Sequence, residues 1–442
     1  MKHFAVPPKT PYLLRCVIVT ILALAVCAPV WAQAPIQIGS RGSADRRAGM
    51  AVPDFACEPG LEPLAKEMSE VISYDLLFTG LFTVLPKTAY PPAFAGFTQD
   101  ATQIDFNAWR SVKVSYLVYA YVTAEGDNIA AESRMFDVAT GTQVVGQRIM
   151  STKDLPRLVA HRFSDEIVRY VDGVPGIATS EICFSRGAEG KKEIYVSDYD
   201  GANAKQVTQH GSISIKPKFS PDGGKIAYLS YKDRYPFLYI LDRATGKSTP
   251  LSKNVGLNAA PGWSPDGKQI AMVLSKDGNP EIYVKNADGS GERRLTNDRA
   301  PDSSPTFDPA GTQIAFVSER SGRPQIFAMN ADGSNVRRLS FQGGNAYDPA
   351  WSPDGKMIAY VAEISGEGFE IYVMNAADGG DPRRLTDTGG ANESPSWSPD
   401  SRHIVFASTR SGPYEVWAVN VQPPCEQHRI GPGQGPYWGP RR

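Results

Sequence analysis

The sequence is short of the residues that most chemistry needs. Among 442 residues there are five cysteines and five histidines. Cys16 and Cys27 fall in an apolar leader, which leaves Cys57, Cys183 and Cys425, widely spaced and without a CxxC pair. That spacing excludes a disulfide framework and a cysteine-rich zinc site. Beyond the leader no apolar run is long enough to span a bilayer. The formal net charge of −1 gives no electrostatic reason to bind nucleic acid or an anionic membrane. Neither GxSxG nor HExxH occurs, so the nucleophile elbow and the zinc-protease signature are both missing.

Three small motifs imitate chemistry without completing it. Gly246-Lys247-Ser248 lacks the first glycine of a phosphate loop, because position 241 is Leu. Asp198-Tyr199-Asp200-Gly201, Asn286-Ala287-Asp288-Gly289 and Asn330-Ala331-Asp332-Gly333 lack the spaced carboxylates and final Glu of a calcium loop, and read as hairpin turns. His161 stands one turn from Asp165 and Glu166 on an expected helix, with no second histidine near it in sequence. His210, His403 and His428 fall on separate later segments. A hydrogen-bonding, salt-bridge or domain-contact role for His161 is the expectation. No catalytic residue, cofactor site or metal site is expected.

What the chain has is repetition. Trp263-Ser264-Pro265-Asp266-Gly267-Lys268 recurs in related form at Phe219, Phe307, Trp351 and Trp397, at spacings of 44, 44, 44 and 46 residues. A proline precedes each aromatic by two positions: Pro217, Pro261, Pro305, Pro349 and Pro395. After the hexamers come two short β-prone runs, then an Asn-Ala-Asp-Gly type turn and an Arg-Arg-Leu-Thr segment, as at Arg293 to Thr296 and Arg383 to Thr386. Four short strands at a period near 45 make one propeller blade. Ala227, Ala271, Ala315 and Ala359 on the second strand let blades approach closely. The paired arginines are expected on an exposed outer edge. A sixth set of strands begins at Ile182 without its inner strand, and Pro436-Tyr437-Trp438 supplies it from the far end. The expected architecture is a six-bladed propeller closed by the C-terminal strand.

In chain order, residues 1–34 read as a secretory signal peptide, with basic residues, an apolar run and Ala32-Gln33-Ala34. Residues 35–52 read as an extended tail. Residues 53–172 read as a small α/β domain: a helix over Glu62 to Phe78, a strand from Phe82, a three-strand meander from Val112 to Met150, and a second helix over Asp154 to Val171. The propeller then occupies 177–442.

An exported chain with this order of parts resembles the TolB family, the periplasmic propeller proteins of the Tol-Pal envelope system. The likeness extends to Ser164-Asp165-Glu166, Val196-Ser197-Asp198-Tyr199-Asp200-Gly201 and Ser321-Gly322-Arg323-Pro324-Gln325. It implies a non-enzymatic periplasmic scaffold, serving envelope integrity and outer-membrane invagination at cell division, with two protein partners and no cofactor. One is a Pal-like peptidoglycan-associated lipoprotein, docking over the propeller opening. The other is the C-terminal domain of a TolA-like inner-membrane protein, capturing the tail at Pro35, Ile36, Gln37, Ile38, Gly39 and Ser40. The alternative is a propeller that binds or processes peptides or small molecules. Neither nucleic acid nor membrane insertion is expected, and the chain is expected to be a monomer. The longer, variable loops entering each blade point to a docking rim at Leu257, Asn258, Asp302, Ser303, Ser304, Tyr347, Asp348, Asn392 and Glu393. Here the sequence departs from the family, with Leu257 and Ser304 where a histidine and a glutamate are customary.

Overall fold

The computed structural model of the chain describes residues 47–442, apart from 95, 98 and 99. The leader and the tail positions from Pro35 to Ser40 lie outside the described residues. No helix among the described residues is long and apolar enough to cross a membrane.

The small lobe is a mixed sheet of six strands. Its order is Phe82–Val84, Ala48–Ala51, Tyr116–Glu125, Asn128–Asp137, Thr142–Thr152, with Ala56–Cys57 also on Tyr116–Glu125. Three helices accompany it: α1 (Glu62–Phe78), the short α2 (Phe106–Ser111) and α3 (Pro156–Asp172). Met68, Ile72 and Leu76 of α1 and Val159, Phe163 and Ile167 of α3 pack with Val118, Ala120, Ile129 and Met135 of the sheet. These positions recur at helical and strand periods, so both elements present one apolar face to one core.

Two expectations fail here. The tail does not run to residue 52. Ala48–Ala51 is a strand paired in parallel on both sides, and Met50, Ala51 and Val52 are buried. A four-residue strand covered on both faces has no alternation to betray it. The meander starts at Tyr116 and not at Val112, because α2 is followed by a left-handed residue, Lys113 at φ 59°.

The propeller has six four-stranded antiparallel sheets. Blade 1 takes its inner strand, Gln434–Arg441, from the end of the chain and continues with Ser180–Ala188, Lys191–Asp198 and Lys205–Gln206. Trp438 is buried there, and its indole N–H donates to Ser180 Oγ at 2.8 Å. Blades 2 to 6 begin with inner strands Ser214–Phe219, Asn258–Trp263, Asp302–Phe307, Ala346–Trp351 and Asn392–Trp397. Closure by the C-terminal strand is therefore as expected.

The repeat motif explains itself locally. In blade 3, Asp266 Oδ1 accepts from Ser264 Oγ at 2.6 Å and from the Lys268 amide at 3.0 Å, while Gly267 takes a φ of 68°. Asp222, Asp354 and Asp400 bond the same way. The four second-strand alanines are fully buried. The arginine pairs differ from expectation. The second of each pair turns inward: Arg294 bonds Glu281 at 2.9 Å and Arg384 bonds Glu370 at 2.9 Å, both acids being fully buried. Burial of a carboxylate requires such a partner.

Candidate functional site

The two rims of the propeller differ in what they carry. The small lobe sits on the rim formed by the Ser-Pro-Asp-Gly and Asn-Ala-Asp-Gly turns, against blades 1 and 6. Arg157 of α3 pairs with Asp200, Arg402 pairs with Asp172, and Arg47 meets Glu426 at 2.8 Å. Asn420 Nδ2 donates to the Thr79 carbonyl, and Arg441 donates to the carbonyl of Pro175 at 2.8 Å.

At the centre of this joint Phe78, the last residue of α1, enters a cage of rings. His428 lies 4.6 Å from it, Tyr199 and His403 4.9 Å, and Trp438 6.3 Å. The Phe78 carbonyl accepts from His403 Nε2 at 3.0 Å. Beside the cage, buried Asp75 accepts from His161 Nδ1 at 2.9 Å and from the Tyr199 hydroxyl at 2.8 Å. Burial opposes charge on His161, but the Asp75 carboxylate outweighs it and holds the imidazole above its usual pKa. Burial first, and then the charge of His403, push His428 down.

Three histidines that the sequence scatters thus meet at one joint. His161 does not bond Asp165, whose carboxylate accepts from the amides of Ala178 and Thr179 instead. His161, Asp198 and Asp200 lie close enough to suggest a cation site. The guanidinium of Arg157 already engages Asp200, and that of Arg442 engages Asp198 at 2.6 Å. The cluster is a salt-bridge network.

The opposite rim, built of the loops entering each blade and those between its second and third strands, carries none of these lobe contacts. Of the large apolar side chains exposed on the propeller, nearly all stand there: Val255 at 88 %, Tyr235 at 65 % and Phe341 at 62 %, with Tyr231, Leu257 and Tyr414. Val336 alone is on the turn rim. Single exposed apolar residues mean little, whereas a group of them on one face marks an interaction surface.

Comparisons with known proteins agree in both lobes. Residues 36–144 match the family described as the TolB amino-terminal domain. Residues 169–369 and 344–438 match the TolB beta propeller domain.

The chain belongs to the TolB family.

Curated relatives include a TolB homolog of Chlorobium chlorochromatii, 36 % identical over 52 % of this chain and 52 % of its own length. The Tol-Pal system protein TolB of Ruegeria is 33 % identical over 50 % of this chain and 52 % of its own. The chain spans about half the length of the curated TolB relatives it matches. The crystal structure of TolB from Acinetobacter baumannii superposes with a TM-score of 0.79 at 27 % identity, covering 92 % of this chain and 98 % of that one. A chain from a nidogen/laminin complex, at 14 % identity and a TM-score of 0.50, shares the fold alone.

Against the TolB frame, the residues expected on the docking rim divide into three groups. Leu257 is exposed, and Ser303, Tyr347 and Glu393 are half-buried, Glu393 accepting from the Tyr414 hydroxyl at 2.9 Å. Ser304 and Asp348 line the central channel. Asn258, Asp302 and Asn392 are fully buried, which corrects their expected place at the surface. Each ties its inner strand to a neighbouring segment: Asn258 to Ser252 at 2.7 Å, Asp302 to Arg320 at 2.8 Å, and Asn392 to Glu370 at 3.0 Å. A polar residue at the start of an inner strand reads as surface in sequence, and its partner is too remote to see.

Proposed function

We propose that the chain is a non-enzymatic scaffold of a Tol-Pal system in the periplasm, linking a Pal-like outer-membrane lipoprotein to a TolA-like inner-membrane protein. The observation that carries this reading is the rim free of lobe contacts, with Tyr235, Val255 and Phe341 exposed on it. Family membership supports the same reading. The Pal-like partner docks on that rim, with Leu257, Ser303, Tyr347 and Glu393 contributing beside the apolar group. Asn258, Asp302 and Asn392 are left out because a partner cannot reach them. The tail from Pro35 to Ser40 serves the TolA-like partner by adding as a strand to its sheet edge.

Titration calorimetry with a soluble Pal-like domain tests the docking face. Tyr235→Asp and Phe341→Asp should each weaken binding about ten-fold or more, as loss of an aromatic anchor does, with the melting temperature unchanged. Val336→Asp should bind as the parent does. The opposite pattern would move the partner to the turn rim.

A further inference from the structure

The six inner strands surround a central channel, and in each the residue before the proline is left-handed. Lys216, Ala260, Ser304, Asp348 and Ser394 have φ between 44° and 56°, and Gly435 has 56°. Five non-glycine residues in this conformation, each before a proline, are held there by the ladders around them. All six line the channel.

The channel is bridged. Lys216 of blade 2 reaches across to Asp348 of blade 5 at 3.1 Å and donates to Ser394 of blade 6 at 2.9 Å. Asp348 also accepts from Ser304 at 2.9 Å. This pair is neutral as a whole. Channel water reaches both side chains, with 49 % and 31 % exposure, although protein encloses the channel itself.

Lys218, two residues along the same strand, has no such partner. Among the described residues its ammonium makes no hydrogen bond or salt bridge, and the face of Tyr437 lies 5.8 Å away. Asp348, whose charge acts on it, is already paired with Lys216. Burial pushes Lys218 down to about 8, Asp348 opposing and Lys216 adding to the shift. It therefore remains mostly charged at neutral pH. The cavity that holds it measures about 600 Å³, and Pro221, Pro265, Pro309, Pro353 and Trp351 form part of its wall. That volume lies in the range of sites for small organic molecules, where apolar walls surround a few fixed polar groups.

We propose that this cavity binds a small organic carboxylate, its oxyanion paired with Lys218 and its apolar body against the proline wall. Among the described residues Lys218 is the cation of the lining without an ion pair and suits one carboxylate, while Asp348 and Asp308, whose carboxylate accepts from Thr312 and Gln313, disfavour a multiply charged anion.

Calorimetric titration of the intact chain with benzoate and with neutral benzamide tests it. Benzoate should saturate one site per chain, with benzamide about ten-fold weaker or more, since a charge pair in a partly enclosed site is worth at least that factor. Lys218→Met should reduce benzoate to the level of benzamide while folding normally, because methionine keeps the stem and removes an unpaired charge. Asp348→Asn should tighten benzoate by releasing Lys216. Absence of saturable benzoate binding, equal binding of the two probes, or a Lys218→Met protein that binds benzoate as the parent does would each overturn the proposal.

Discussion

The joint between the lobes and the channel through the propeller are both furnished with charge, and they use it in opposite ways. At the joint Arg157 meets Asp200 and Arg402 meets Asp172 across the boundary, while His161 and Asp75 pair within the small lobe. Phe78 fills the space between them. In the channel one pair closes on itself and Lys218 is left over. Charges paired across a boundary hold two bodies together, whereas an unpaired one is available to something else. A buried pair adds little net stability, but loss of one partner is costly. The joint should therefore be fragile to mutation and the channel tolerant of it.

The largest effect should come from opening the ring. Deleting residues 433–442 removes the inner strand of blade 1 and Trp438, which also stands at the edge of the Phe78 cage. The loss should exceed the ~3–5 kcal/mol typical of removing one buried aromatic. An unchanged melting temperature would mean that closure contributes nothing to either region.

Next is the cage itself. Phe78→Ala should cost about 3–5 kcal/mol and separate the unfolding of the lobes, read as a second transition in a denaturant melt. A single transition at the original midpoint would show that the salt bridges alone hold the joint.

A smaller effect should follow from pH. The folded state holds His428 below its usual pKa, so its contribution is present above about pH 6.5 and is lost as pH falls below that value. His161, held above its usual pKa, has the opposite sign: its contribution is full below about 6.5 and fades as pH rises through the folded value. His428→Phe should lessen the loss of melting temperature between about pH 7 and about pH 5, and His161→Gln should lessen the loss on the alkaline side. Parallel curves for parent and His428→Phe would remove that histidine from the account. Removing the Lys218 charge should not lower the melting temperature, since burial already works against that charge in the folded state.

Much of the propeller was legible because repetition multiplies weak signals. One Ser-Pro-Asp-Gly turn is a turn, but five related turns at spacings of 44 to 46 residues fix the blade, its second-strand alanines and the missing inner strand at the far end. The joint was not legible, since no period links Phe78 to His403 and His428, more than three hundred residues away. The buried rim residues escaped for a related reason: Asn392 reads as loop until Glu370 and Arg410 are placed around it. Ala48–Ala51 was hidden by its brevity. The channel lay between these cases. The pre-proline position repeats at the blade period, so its six occupants could have been aligned as Lys216, Ala260, Ser304, Asp348, Ser394 and Gly435. Only the closed ring sets Lys216 opposite Asp348.

The comparison of the two rims is tested most directly by hydrogen exchange on the chain with and without a soluble Pal-like domain. Protection should fall on the loops at 231–236, 253–257, 339–345 and 409–414, leaving the Ser-Pro-Asp-Gly turns at 264–267 and 352–355 as they were. Protection of those turns, with the loops unchanged, would contradict the assignment of the docking face.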